Sequence, residues 1–140
     1  MAFQEKSAWV MSIALLIGGA GYFASVAWLS AQLGELAPPV LPFVVVYTVF
    51  LVLVAIAGHA VVAMFAPREA SAPQDERDQR IVERAGHWSG YVLGAGIVTF
   101  LGLYLFSFDG RVMFYGIFAC LMLSQLTEYI LRITFYRWHG

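Results

Sequence analysis

Four stretches of this chain, 7–34, 36–66, 88–108 and 112–127, carry no Asp, Glu, Lys or Arg. The apolar pattern of the fourth continues past Glu128 to Trp138. A helix rises about 1.5 Å per residue, so about 20 residues cross the roughly 30 Å hydrocarbon layer of a bilayer. Inside that layer no water bonds the backbone, and a helix satisfies its own N–H and C=O groups. The 140 residues therefore read as one all-α membrane domain, a four-transmembrane-helix bundle of two hairpins. The spans are expected at about 8–30, 41–66, 88–107 and 112–137, with a connector at 67–87. Charged residues make up only 12% of the chain, about half the usual share for soluble proteins, so little is left for a soluble domain.

A cleaved secretory leader is the rival reading of the first run. Its apolar stretch would be about 7–15 residues behind a positive segment. Here the run is far longer, and Glu5 and Lys6 cancel. A transmembrane helix is the expectation.

Basic residues set the orientation. Lys6 precedes the first span, Arg68, Arg77, Arg80 and Arg84 lie between the second and third, and Arg132 and Arg137 close the fourth. With four spans, all of these share a side, and only Arg111 lies opposite. The positive-inside bias then makes both termini and the connector cytoplasmic, in a multi-pass protein of the inner (cytoplasmic) membrane. Pro42 is tolerable in the opening turn of span two, Pro67 stops that span, and Asp109-Gly110 reads as a tight turn. The single Cys120 falls inside span four, permits no intrachain disulfide and reads as a small packing residue.

The connector holds the densest charge. Asp75, Glu76, Arg77, Asp78, Arg80, Glu83 and Arg84 crowd one short segment. At 100° per residue, Ile81, Val82, Ala85, Trp88 and Val92 fall on one side, and Glu76, Arg80, Glu83, Arg84 and His87 on the other. Only Asp78 breaks the pattern. Glu76 and Arg80 have the spacing and order of an i, i+4 pair, and Asp75, Glu76 and Asp78 suit a helix N-terminus. Pro73 and Gln74 suit the start. The segment either extends span three beyond the membrane or lies on its surface before a bend at Gly86, with Trp88 and Tyr91 as interfacial anchors. The simplest role is a solvated extension that enforces topology. Four acids interleaved with three arginines also make it a candidate docking face for a partner.

"DERDQRIVERAGHWSGYVLGAG", together with the closing "TEYILRITFYRWHG", resembles the small DUF2178-type membrane proteins of bacteria and archaea. Asp75, Glu76, Arg77 and Asp78 carry the motif, and Glu128, Tyr136 and Arg137 the tail. The match covers roughly residues 75–140. The resemblance implies four helices and no established activity. Relatives encoded beside small helix-turn-helix regulators would imply that a regulator is held at the membrane.

Ionisable groups inside spans are costly and mark function by default. His59 lies about 12 Å inside the termini-side end of span two, and Glu128 lies at a similar depth in span four. His59, Glu128 and Arg132 could meet as a polar site, with Gln125 beside it. Ser124, Glu128, Arg132 and Tyr136 recur every four residues and should face the interior. The simplest reading is that Glu128 and Arg132 neutralise each other, Arg132 snorkels to the interface and His59 donates to a neighbouring carbonyl. A proton- or ligand-handling pocket is the alternative. Gly86, Gly90 and Gly94 form a small-residue ridge, expected to make helix contacts within the bundle or to mediate self-association.

These features exclude more than they identify. No catalytic motif, phosphate-binding loop or metal-ligand spacing is present, so no enzyme, no metal and no cofactor are expected. His59, His87 and His139 do not share a depth, as a bis-His haem would require. A net charge of −1 gives no reason for direct nucleic-acid binding. The expectation is an accessory or regulatory membrane protein. Its surroundings are membrane lipid, and its partner is another membrane subunit, a cytoplasmic regulator or a second copy of itself.

Overall fold

The structure, a computed structural model, describes residues 3–65 and 75–138. Pro67, Arg68, Pro73, Gln74 and His139 lie outside the described residues. Four helices follow one another among the described residues: α1 Phe3–Leu33, α2 Leu41–Phe65, α3 Glu76–Ser107 and α4 Gly110–Trp138. Each is long and apolar enough to cross a membrane, which marks the chain as a multi-pass membrane protein. Helices α1 and α3 run well past their charge-free cores, because charged residues with good helix propensity continue both.

Both turns at the far end are built by specific backbone devices. Gly34 ends α1 in the left-handed region, at φ 71°, and its N–H donates to the Ser30 carbonyl at 2.9 Å. A glycine takes that conformation without Cβ strain. Pro42 sits in the first turn of α2, where no N–H is needed. The second turn differs from the Asp109-Gly110 expectation. Gly110 is already the first residue of α4, and the left-handed residue is Phe108, at φ 52°, with its N–H on the Tyr104 carbonyl at 2.8 Å. Asp109 caps α4 instead, its Oδ1 accepting from the N–H groups of Arg111 at 2.9 Å and Val112 at 3.3 Å.

Arg111 clips the two turns together. It pairs with Glu35 at 3.3 Å and donates to the Leu36 carbonyl. Beside it the Tyr115 hydroxyl donates to the Ala37 carbonyl at 3.0 Å, and the Ala37 N–H donates to Ser30 Oγ at 2.9 Å.

Helix α2 packs on α1, α1 on α4, and α4 on α3. The central pair is therefore α1 and α4, flanked by α2 and α3. The half of the bundle nearer the turns has an aromatic core of Tyr22, Val26 and Tyr115, joined by Phe43, Tyr47, Phe114 and Phe118. Tyr22 and Phe118 have ring centroids 4.6 Å apart, within the range of favourable tilted pairs. Elsewhere the helices approach through small residues. A Cβ on Gly58 would collide with Val10, one on Gly96 with Cys120, and one on Gly116 with Phe100. Cys120 is a buried free thiol in that seam, as its packing role predicts. One buried hydrogen bond crosses the α3–α4 seam, from the Ser124 hydroxyl to the Ser89 carbonyl at 2.9 Å.

Candidate functional site

The start of α1, the end of α2, the start of α3 and the end of α4 gather at one end. Ser7 reaches His59, Arg137 reaches Glu5 at 3.4 Å, and the Arg84 guanidinium lies 5.3 Å from the Phe135 ring centre. Lys6, Arg77, Arg80, Arg84, Arg132 and Arg137 belong to this end and Arg111 to the other.

Helix α3 passes through Gly86 without a break. Of the two readings of the charged segment, the unbroken extension of the third helix is the one observed. Asp75 caps it, accepting the Glu76 N–H at 2.8 Å. Its 32 residues span about 48 Å against a hydrocarbon layer of about 30 Å, so roughly three turns stand beyond the apolar core. Ile81, Ala85 and Ser89 bury the side facing α4. Trp88 and Val92, expected on that apolar side, are exposed and turn outward. Glu76 and Arg80 pair at 3.4 Å, in the open. Asp75, Arg77, Glu83 and Arg84 are also exposed, whereas Asp78 is half-buried and faces Tyr136 on α4. The pattern-breaking Asp78 thus belongs to the seam. An open cleft of about 580 Å³ lies between this segment and the end of α4. Arg77, Arg80, Ile81 and Arg84 line one wall and Phe135 the other, with Asp75 and Glu76 also lining it.

The expected intramembrane site divides in two. His59 is exposed; its Nδ1 lies 2.6 Å from the Ala55 carbonyl and its Nε2 2.6 Å from Ser7 Oγ. A carbonyl only accepts, so Nδ1 carries the proton and, in the neutral ring, Ser7 donates to Nε2. Glu128 pairs instead with Arg132 one turn on, both side chains about four-fifths buried. Their pairing and the His59–carbonyl bond match the simplest reading, except that Arg132 is largely buried instead of snorkelling outward; a His59–Glu128 network does not form. The cause is the packing order: α2 lies on α1, and α1 on α4. Ser124 and Tyr136 are buried, so the four-residue stripe does face inward, while Gln125 is exposed and stands apart. Among the described residues, Arg132 Nε is buried without a hydrogen-bond partner, and the buried Tyr136 hydroxyl faces Asp78.

The glycine ridge also departs from the bundle-contact expectation. A Cβ on Gly86, Gly90 or Gly94 would meet nothing within 4 Å. The α3–α4 seam is made by Ser89 and Gly96, on another side of the helix. At 100° per residue, positions 76, 83, 87, 90 and 94 fall within about 60°, so the ridge continues the outward charged face as one stripe. Glu5, Ser7 and Phe135 carry contacts here that the sequence did not single out. Glu5, whose charge cancels that of Lys6 in the sequence, is buried against Arg137.

Comparison of the chain with family models, curated proteins and solved structures finds no match. Among the described residues, no group of three or more His, Cys, Asp or Glu side chains could hold a metal ion.

Proposed function

We propose that this chain is a non-enzymatic accessory or regulatory protein of the cytoplasmic membrane that binds a protein partner along the outward face of α3. The carrying observation is a continuous helix long enough to rise about three turns beyond the apolar core of a bilayer. On it, Glu76, Glu83, Gly90 and Gly94 are exposed in one stripe. The packing of α3 on α4 holds that face outward, so ordering it on binding costs little entropy. Glycines let a partner helix approach closely within the bilayer, and the charged turns offer it specificity outside.

The basic bias of the end that holds Lys6, Arg84 and Arg137 supports a cytoplasmic location for it. The likeness of Asp75–Asp78 and of Glu128, Tyr136 and Arg137 to the DUF2178-type pattern supports membership of that family and a cytoplasmic regulator as partner. The Ser7–His59 contact does not argue for a hydrolase. Ser7 is buried in the α1–α2 seam, out of a substrate's reach.

The test is native mass spectrometry of the tagged chain extracted from its own membrane in mild detergent. The expected species carries a protein partner that is lost when Gly90 and Gly94 become Leu or Glu76 and Glu83 become Arg. Equal retention across all variants, or a bare chain throughout, overturns the proposal. A cysteine at Gln79 should react with an impermeant thiol reagent only from the cytoplasmic side.

A further inference from the structure

The cleft between α3 and α4 shares Glu76 with the outward stripe, and its inner edge, at Arg84, reaches the level of lipid headgroups. Trp88 is exposed where an interfacial aromatic belongs. Arg84 lies one turn further out, about 6 Å, and the polar layer on each side of a bilayer is about 5–7 Å deep. Its guanidinium is held 5.3 Å from the centre of the Phe135 ring. A guanidinium presents its N–H donors in one plane, in the fork that suits a phosphate. Arg80 and Arg77 continue the same wall, and Ile81 and Phe135 give the cleft an apolar surface on each wall. Glu76 engages Arg80 only through an exposed pair at 3.4 Å, which a phosphate can displace.

We infer that this cleft binds the headgroup of an anionic phospholipid. The phosphate sits against Arg84 and Arg80, the glycerol and upper acyl carbons lie over Phe135 and Ile81, and the tails enter the bilayer. Basic pockets between transmembrane helices recognise anionic headgroups in this way. Asp75 and Glu76 disfavour a second negative lipid and limit the site to one. The inference does not rest on docking of a protein partner.

The purified chain, stripped of lipid in detergent, is titrated with phosphatidylglycerol or phosphatidylcholine of identical acyl chains and followed by native mass spectrometry. Wild type should retain phosphatidylglycerol preferentially, in a one-to-one adduct. Arg84→Gln and Arg80→Gln should each lower that retention about five-fold and leave phosphatidylcholine unchanged. Asp75→Asn with Glu76→Gln should raise it, and because Asn caps a helix as well as Asp does, this variant guards against mere misfolding. Equal retention of the two lipids by wild type, or phosphatidylglycerol retention indifferent to Arg84, overturns the assignment. So does Arg84-dependent binding of a polyglutamate peptide with no headgroup preference, since the cleft is then a protein site. No second protein is present, so failure here leaves the docking proposal standing.

Discussion

Gly94 and Gly96 are two residues apart, and their surroundings differ completely. A side chain at 96 runs into Cys120, while one at 94 meets open space. Gly96→Leu should therefore destabilise the bundle by about 1–3 kcal/mol, as overpacked cores do. Gly94→Ala should be neutral or stabilising, since alanine is the better helix former by about 1 kcal/mol. Thermal unfolding in detergent separates them, and equal losses would show that the α3–α4 seam is misplaced. Sequence spacing revealed a glycine ridge but not which side of α3 meets α4. Whether His59 meets Glu128 was open for the same reason, because depth along a helix is countable and its rotation is not. Glu128 and Arg132 invite a paired test. Glu128→Gln leaves a largely buried guanidinium short of its partner and should lower the melting temperature. Replacing both residues with Leu should restore it; a double variant worse than the single would show that the pair contributes more than mutual neutralisation.

Single elements were legible in proportion to how much polar punctuation they carry. The wheel drawn on the charged segment placed Ile81 and Ala85 on the inner side, where both are buried. It also placed Trp88 and Val92 there, and they face outward, because beyond the first turns the lipid is as apolar as the neighbouring helix. Hydrophobicity inside a bilayer does not tell a packed face from a lipid face. The Asp109-Gly110 pair located the second turn but not its left-handed residue, which is Phe108. Capping makes the structure's version testable. Asp109→Ala should cost about 1 kcal/mol and Asp109→Asn almost nothing. Gly110→Ala should be tolerated, since Gly110 is helical and no Cβ contact opposes it. A larger loss at Gly110 than at Asp109 would contradict this arrangement.

Across the whole molecule, the number of helices, their hairpin connections and the gathering of basic residues at one end all follow from where charge is absent. The order of packing does not. Helices α1 and α2 are apolar around nearly their whole circumference, so nothing in their sequences specifies that α1 lies centrally and α2 at a flank. That order is set by a few polar and tightly packed contacts: His59 on Ser7, Arg137 on Glu5, and Arg111 across the far turns. Arg111→Gln should loosen the far end, visible as faster exchange of the Ala37 amide, which is bonded to Ser30, with the termini-side end unchanged. Exchange rising equally at both ends would mean that Arg111 supports the bundle as a whole rather than clipping its turns. Both the docking stripe and the lipid cleft depend on α3 continuing unbent past Gly86. Spin labels at Gln79 and Leu103, both exposed, would measure that directly in reconstituted bilayers. A continuous helix predicts a backbone separation of about 36 Å with a narrow distribution. A broad distribution, or one centred well below that length, would place the charged turns on the membrane surface and contradict the rod on which the proposed binding faces are displayed.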